Sequence, residues 1–184
     1  MKIKKILISF ILFFLPLKVH GLIEVDITRG NLNPLPVAVS ALYADEETTK
    51  VLKKNIKVDQ IGYEISTIIE NNLKATGLFN PLEKKAFLQK PDVAHLKPRF
   101  EDWSLIKAQA LITGKVEFKD DKVRVEFRLW DVLAAREMLA LAFTTVPNNW
   151  RRIGHIISDK IYERLTGEKG YFDTRIIYVS EKGP

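Results

Sequence analysis

The chain contains no cysteine among its 184 residues. This absence excludes a disulfide framework, a thiolate-ligated metal site and the lipid-modified cysteine of a lipoprotein. Stability must therefore come from buried apolar side chains. The composition, 46% hydrophobic and 28% charged, suits a chain that forms such a core. The length favours one domain, or two at most.

Histidine is also scarce, with three in the whole chain. His155 and Asp159 stand four residues apart on a predicted helix, so they could form an acid–base pair. The sequence shows no Gly-x-Ser-x-Gly elbow, no Gly-rich phosphate loop and no His-Glu-x-x-His motif. A pair of surface residues explains the spacing better than a catalytic dyad. The residues thus favour a binding or structural module over an enzyme, without catalytic residues or cofactor.

One acidic run, Asp45-Glu46-Glu47, could gather a hard cation. A solvated acidic loop is the simpler interpretation, and it agrees with the high charge of residues 43–58. We expect that stretch to be a loop with at most a short helical turn. No metal site is predicted.

The chain lacks an apolar run long enough for a comfortable membrane span. The run Ile6–Leu17 has about 12 residues, whereas a span needs ~20. It follows a basic start at Lys2, Lys4 and Lys5 and precedes Val19-His20-Gly21. This pattern predicts a secretory signal peptide over residues 1–21, cleaved after about Gly21. An uncleaved N-terminal anchor is the alternative.

The positive charge of the chain is concentrated in this first segment. The whole sequence carries +6 with a pI of about 9.4, a balance that can indicate nucleic-acid binding. Cleavage removes four lysines and leaves a net charge of about +2. A nucleic-acid role therefore loses its support, and we expect an exported, periplasmic protein without a membrane span after cleavage.

Apolar periodicity predicts an α/β fold, with a mixed β-sheet packed against two main helices. The first helix begins at an Asp59 cap and ends at Gly77, and the second begins at Asn148 or Asn149 and ends at Gly167. A short helix with Trp103 facing inward is expected at Phe100–Lys107. The predicted strands are Pro36–Leu42, an edge piece at Leu78–Leu82, a hairpin that turns at Lys119–Lys122, and Arg136–Val146.

Two strand-like segments lie outside this scaffold. In Leu22–Thr28 the residues Ile23, Val25 and Ile27 alternate with polar ones, and a polar linker follows. The segment suits either an edge strand of the domain or a free arm that adds as a strand to a partner. At the other end, Arg175–Ser180 is an orphan strand with no neighbour after it.

Four stretches of the chain share features with one known family: GLFNPL (Gly77–Leu82), Trp103-Ser104, ITGKVE (Ile112–Glu117) and SDKIYERLTGEKGYFDTRIIYV (Ser158–Val179). Together these motifs resemble the amino-terminal domain of the TolB family. The resemblance extends from Ile23 to Val179, and its most specific part is the last motif. It implies an arm and linker at 22–34, an α/β domain at 35–170, and the start of a missing β-propeller at 171–184.

The resemblance also implies a function. TolB proteins are periplasmic components of the Tol-Pal system, which serves envelope integrity and cell division. Their arm engages TolA, and their propeller binds the lipoprotein Pal. An exported ligand-binding or hydrolytic α/β domain and a truncated gene product are the alternatives. By this resemblance the TolA-binding residues here are Leu22, Ile23, Glu24, Val25, Asp26, Ile27, Thr28 and Arg29.

Overall fold

A computed structural model describes Ile23 and residues 33–174 of the chain. The predicted signal peptide and the orphan strand Arg175–Ser180 lie outside the described residues. The strands are β1 (Leu35–Val39), β2 (Tyr43–Ala44), β3 (Phe79–Pro81), β4 (Ala110–Lys119), β5 (Lys122–Asp131) and β6 (Arg136–Thr145). The helices are α1 (Glu46–Ile56), α2 (Ile61–Ala75), α3 (Pro91–Ala94), α4 (Phe100–Leu105) and α5 (Trp150–Thr166).

The strands form one mixed sheet in the order β3-β1-β4-β5-β6, and β2 also pairs with β4. β1 is parallel to β3 and β4, whereas β5 is antiparallel to both of its neighbours, β4 and β6. The predicted α/β class with a mixed sheet is confirmed. β3 lies at one edge, as expected for a strand that contains Pro81, because proline has no backbone N–H to donate to a neighbouring strand.

The β4–β5 hairpin follows directly from its sequence. Asp120 and Asp121 form a two-residue turn, with φ angles of 51° and 56°, which is the backbone geometry that matches strand twist. Val123, Val125, Phe127 and Leu129 are fully buried on one face of β5. Charged residues occupy the alternate positions, so the period of two places a solvated face opposite the core.

Two apolar clusters cover opposite faces of the sheet. The larger contains Val37, Val39 and Ile112 together with the apolar stripes of α2 and α5. The smaller contains Ala38 and Leu111, the alternate residues of β1 and β4, and Trp103 of α4. The two predicted main helices therefore share one face, and the short helices cover part of the other.

Helices α2 and α5 pack closely because a glycine lies at their contact. A Cβ added at Gly154 would stand 2.8 Å from Cγ2 of Ile68, which is too close without a shift of that side chain. Next to this contact, Asn72 bridges the helices through His155 and Ser158, each at 2.9 Å. The bridge satisfies the polar groups that the close approach partly buries.

The expectation of a loop at residues 43–58 is wrong, because α1 occupies most of it. The Asp45 side chain accepts a hydrogen bond from the backbone N–H of Thr48 at 2.7 Å, which satisfies the first turn. Glu46 and Glu47 lie in that turn and Lys53 and Lys54 in the last, the signs that favour the helix dipole. The charges that suggested a loop therefore stabilise a helix, which is anchored by fully buried Leu52.

The expected cap of α2 is also displaced. The helix begins at Ile61, and Gln60 occupies the cap position without a side-chain hydrogen bond. Asp59 instead forms an ion pair with Lys53 of α1, with Nζ and Oδ1 2.9 Å apart. The carboxylate thus joins the two helices across the turn that separates them.

Candidate functional site

The base of the predicted partner-binding arm contacts the domain. Ile23 is half-buried and packs against the larger core cluster. Leu22 and residues 24–29, the other predicted binding positions, lie outside the described residues. Ile23 therefore attaches this end of the segment to the domain, and partner binding by the arm stays a prediction.

A concavity of about 330 Å³ lies at the carboxyl end of β1, where a ligand site of an α/β domain is expected. Three of the polar side chains that line it have partners within the fold. The Tyr43 ring stacks on His95 at 4.6 Å, Asp59 pairs with Lys53, and the Thr49 hydroxyl donates to the Asp45 carbonyl. These residues stabilise the concavity, and they do not assemble a nucleophile with a base.

His155 and Asp159 do not pair with one another in the described structure. Nδ1 of His155 lies 2.9 Å from Nδ2 of Asn72, in the contact between α2 and α5. The Asp159 carboxylate accepts the backbone N–H groups of Phe172 at 2.7 Å and Asp173 at 3.1 Å. The surface-pair interpretation is therefore wrong, because each side chain serves a different part of the fold.

The acidic run at the start of α1 has a structural role. Asp45 caps the helix, and Glu46 pairs with Lys50 one turn later at 3.2 Å. Among the described residues, no group of three or more histidine, aspartate or glutamate side chains could hold a metal ion.

Residues 170–173, which we name the exit strap, bind back along α5. Besides the two hydrogen bonds to Asp159, Asp173 forms a two-pronged ion pair with Arg152, with distances of 2.9–3.1 Å. The Tyr171 and Phe172 rings meet Tyr162 edge to face at 5.7 and 6.0 Å. The sequence pattern did not predict this strap. The residues that hold it in place are Asp159 on the helix and the adjacent aromatic residues Tyr171 and Phe172.

The strap also depends on a glycine. A Cβ at Gly170 would stand 2.4 Å from the Cα of Asp159, so any other residue would push the strap off the helix. The ion pair raises the pKa of Arg152, through the hydrogen bond to Asp173 and then its charge. The chain therefore leaves α5 along a fixed path as far as Asp173.

The face of the sheet opposite α2 and α5 carries a row of paired charges on β4, β5 and β6, which we name the charge ladder. Its members are Lys115, Glu117, Arg124, Glu126, Arg128 and Glu137, and each has an oppositely charged neighbour. The hydrogen bond to Glu117 raises the pKa of Lys115. Burial disfavours ionisation of Glu126, but the Arg124 hydrogen bond and the nearby cations outweigh it and lower its pKa.

Within the residues that the structure describes, every helix is too short or too polar to cross a membrane.

The fold and these contacts define a mixed-sheet α/β domain in which Asp45, His155 and Asp159 serve helix capping, helix packing and the exit strap. Comparison with known proteins identifies the family. Residues 23–138 match the TolB amino-terminal domain, and the chain belongs to this family.

Two known proteins illustrate the relationship. The Tol-Pal system protein TolB of Pelagibacter ubique (strain HTCC1062) is 73% identical over 176 residues, which are 95% of this chain. The chain spans 40% of the length of that relative. The crystal structure of TolB from Acinetobacter baumannii aligns with a TM-score of 0.60 and 22% identity, over 76% of this chain and 30% of the other. This likeness confirms the fold.

Proposed function

We propose that the chain is a non-catalytic adaptor of the Tol-Pal system, which acts through protein–protein contacts. The observation that carries the proposal is the 73% identity to a Tol-Pal system protein over 95% of the chain. The contacts of Asp45, Asn72 and Asp159 support it, because these side chains cap a helix, bridge two helices and hold the exit strap. In this role the chain contributes to envelope integrity and cell division.

We place the protein in the periplasm. The support is the basic start, the short apolar run and the small residues up to Gly21, which together form an export signal. The intact mass of the protein from a periplasmic extract tests this, since cleavage gives an amino terminus at Leu22. A mass that still includes residues 1–21 would contradict the proposed cleavage and export.

The proposed partner of the arm is the periplasmic domain of TolA, bound by addition of Leu22–Thr28 as a strand. Main-chain hydrogen bonds supply the affinity in this mode, and alternate side chains supply the selectivity. Ile23 packs on the domain, and the proposal assigns selection of the partner to the apolar side chains of Val25 and Ile27. Pal binding requires the propeller of the longer relatives, so residues 35–174 alone do not provide it.

Capture of the chain by immobilised TolA periplasmic domain tests the arm. Deletion of residues 22–29 should abolish capture while the circular dichroism spectrum is kept. The sharper variant is Val25→Lys with Ile27→Lys, which keeps Ile23 in the core. We expect it to weaken binding at least about tenfold, equivalent to ~1.4 kcal/mol.

The matched control changes the opposite face of the same segment. Glu24→Gln with Asp26→Asn removes two charges but keeps the apolar alternation. It should bind within a few-fold of the unchanged chain. Equal binding by the Val25/Ile27 variant and this control would contradict strand addition by the arm.

A further inference from the structure

The two edges of the sheet differ in how they are protected. β3, at one edge, has three residues and contains Pro81, and both features discourage pairing with another strand. β6, at the other edge, has ten residues, and no described strand pairs with its outer side. A long free edge is a template for a further strand.

The protection of β6 against pairing with another strand is confined to its first part. A register irregularity opposite Leu129 and Trp130 places Met138 out of the regular ladder, and Arg164 of α5 donates to the Met138 carbonyl at 3.3 Å. Arg136 and Glu137 add charges there. Beyond this bulge, the residues 139–145 read LALAFTT, with no charge and no proline. We name this stretch the bare edge.

The bare edge has two chemically different faces. Leu139, Leu141 and Phe143 stand opposite Leu129, Phe127 and Val125, and so continue the apolar core face. Leu141 is still 37% exposed there. Ala140, Ala142 and Thr144 stand opposite Arg128, Glu126 and Arg124 on the face of the charge ladder. A strand that pairs with the bare edge must therefore carry apolar side chains on one face and small side chains on the other.

The charges beside the bare edge favour an uncharged strand over an acidic one. The cations next to the bare edge, Arg124 and Arg128, already pair with Glu126 and Glu137. An acidic segment such as the arm, with Glu24 and Asp26 on its polar face, would gain no free cation from the ladder. An uncharged strand with alternating large and small residues fits, and the bare edge itself has that sequence.

We propose that the bare edge pairs antiparallel with the bare edge of a second copy, about a twofold axis at Ala142. In this register Leu141 faces Phe143 of the second copy, Ala140 faces Thr144, and no charged residue meets a like charge. Directly opposed side chains that contact one another are the pairs that stabilise an antiparallel ladder.

The contact is small, so the dimer should be weak. Seven residues span about 24 Å, and a sheet layer about 10 Å thick then gives about 240 Å² per copy. A stable interface needs roughly 800 Å² per partner. The dimer should therefore form progressively between about 10 µM and 1 mM and be absent at lower concentrations.

Sedimentation velocity of the mature protein over that range measures the association. The unchanged chain should move from the monomer towards the dimer mass. Ala142→Lys and Ala142→Glu should each stay monomeric, because two like charges would face one another across the axis. An equimolar mixture of the two variants should recover the dimer, because opposite charges then meet.

Leu133→Lys is the control, since Leu133 lies in the β5–β6 turn and is 71% exposed. It adds the same charge away from the bare edge and should dimerise like the unchanged chain. Circular dichroism verifies that every variant is folded. A monomer at about 1 mM, an unaffected dimer in both Ala142 variants, or a mixture that stays monomeric would each overturn the proposal. Loss of the dimer on deletion of residues 22–29 would also overturn it, because association would then depend on the arm rather than on the bare edge.

Discussion

Asp159 shows how one residue acquires a role that its spacing does not reveal. The four-residue interval to His155 suggests a pair, but Asp159 accepts two backbone N–H groups of the exit strap instead. Interactions between residues that are 13 and 14 positions apart depend on the path of the chain after the helix. Periodicity in α5 carries no information about that path.

Asp159→Ala tests the role of this carboxylate. Two backbone donors would lose their acceptor, so the free energy of unfolding should fall by about 1–3 kcal/mol. Hydrogen exchange at the amides of Phe172 and Asp173 should accelerate selectively. Glu163→Ala, which removes an exposed carboxylate paired with Lys160 on the same helix, should change neither quantity appreciably. Equal protection of both amides in the two variants would contradict the assigned role.

At the scale of helices and strands, the sequence predicts the elements in which apolar residues recur at a regular spacing over a long stretch. The hairpin and the stripe of α5 from Trp150 to Leu165 were found because one face of each is continuously buried. Helix α1 was missed because it buries few side chains, Leu52 among them, and its charged surface resembles a loop. Local capping by Asp45 carries the signal that periodicity lacks there.

Asp45→Ala measures that capping contribution. The first turn of α1 would lose its side-chain acceptor, and the free energy of unfolding should fall by about 1 kcal/mol. Urea denaturation followed by circular dichroism provides the value. Asp45→Asn keeps an acceptor and should recover most of the loss, and an equal loss in both variants would argue for a purely electrostatic effect.

At the scale of the whole molecule, the charge ladder gives one face of the sheet a defined response to pH. The pKa of Glu126 is lowered in the folded state, so its ionised form stabilises the fold above its unfolded pKa. This contribution is lost as the pH falls through the folded pKa. The pKa of Lys115 is raised, so its contribution is present below its unfolded pKa and is lost as the pH rises through the folded one.

Glu126→Gln should therefore reduce stability at neutral pH by up to about 1 kcal/mol, because the ladder is partly solvated. The difference from the unchanged chain should vanish as the pH falls well below roughly 4.3. Thermal unfolding at a series of pH values measures this convergence. A difference that stays constant down to pH 2 would show that Glu126 acts through packing rather than charge.

The exit strap also determines how far along the chain a truncated fragment must extend to retain the contacts of the folded domain. A fragment that stops at Gly167 would lose the partners of Asp159, Arg152 and Tyr162 together. A fragment extended to Thr174 retains all three, although α5 itself ends at Thr166. The last turn of helix is thus a poor guide to the boundary of the cooperative unit. Limited proteolysis should therefore spare residues 168–173, although they follow the end of the helix.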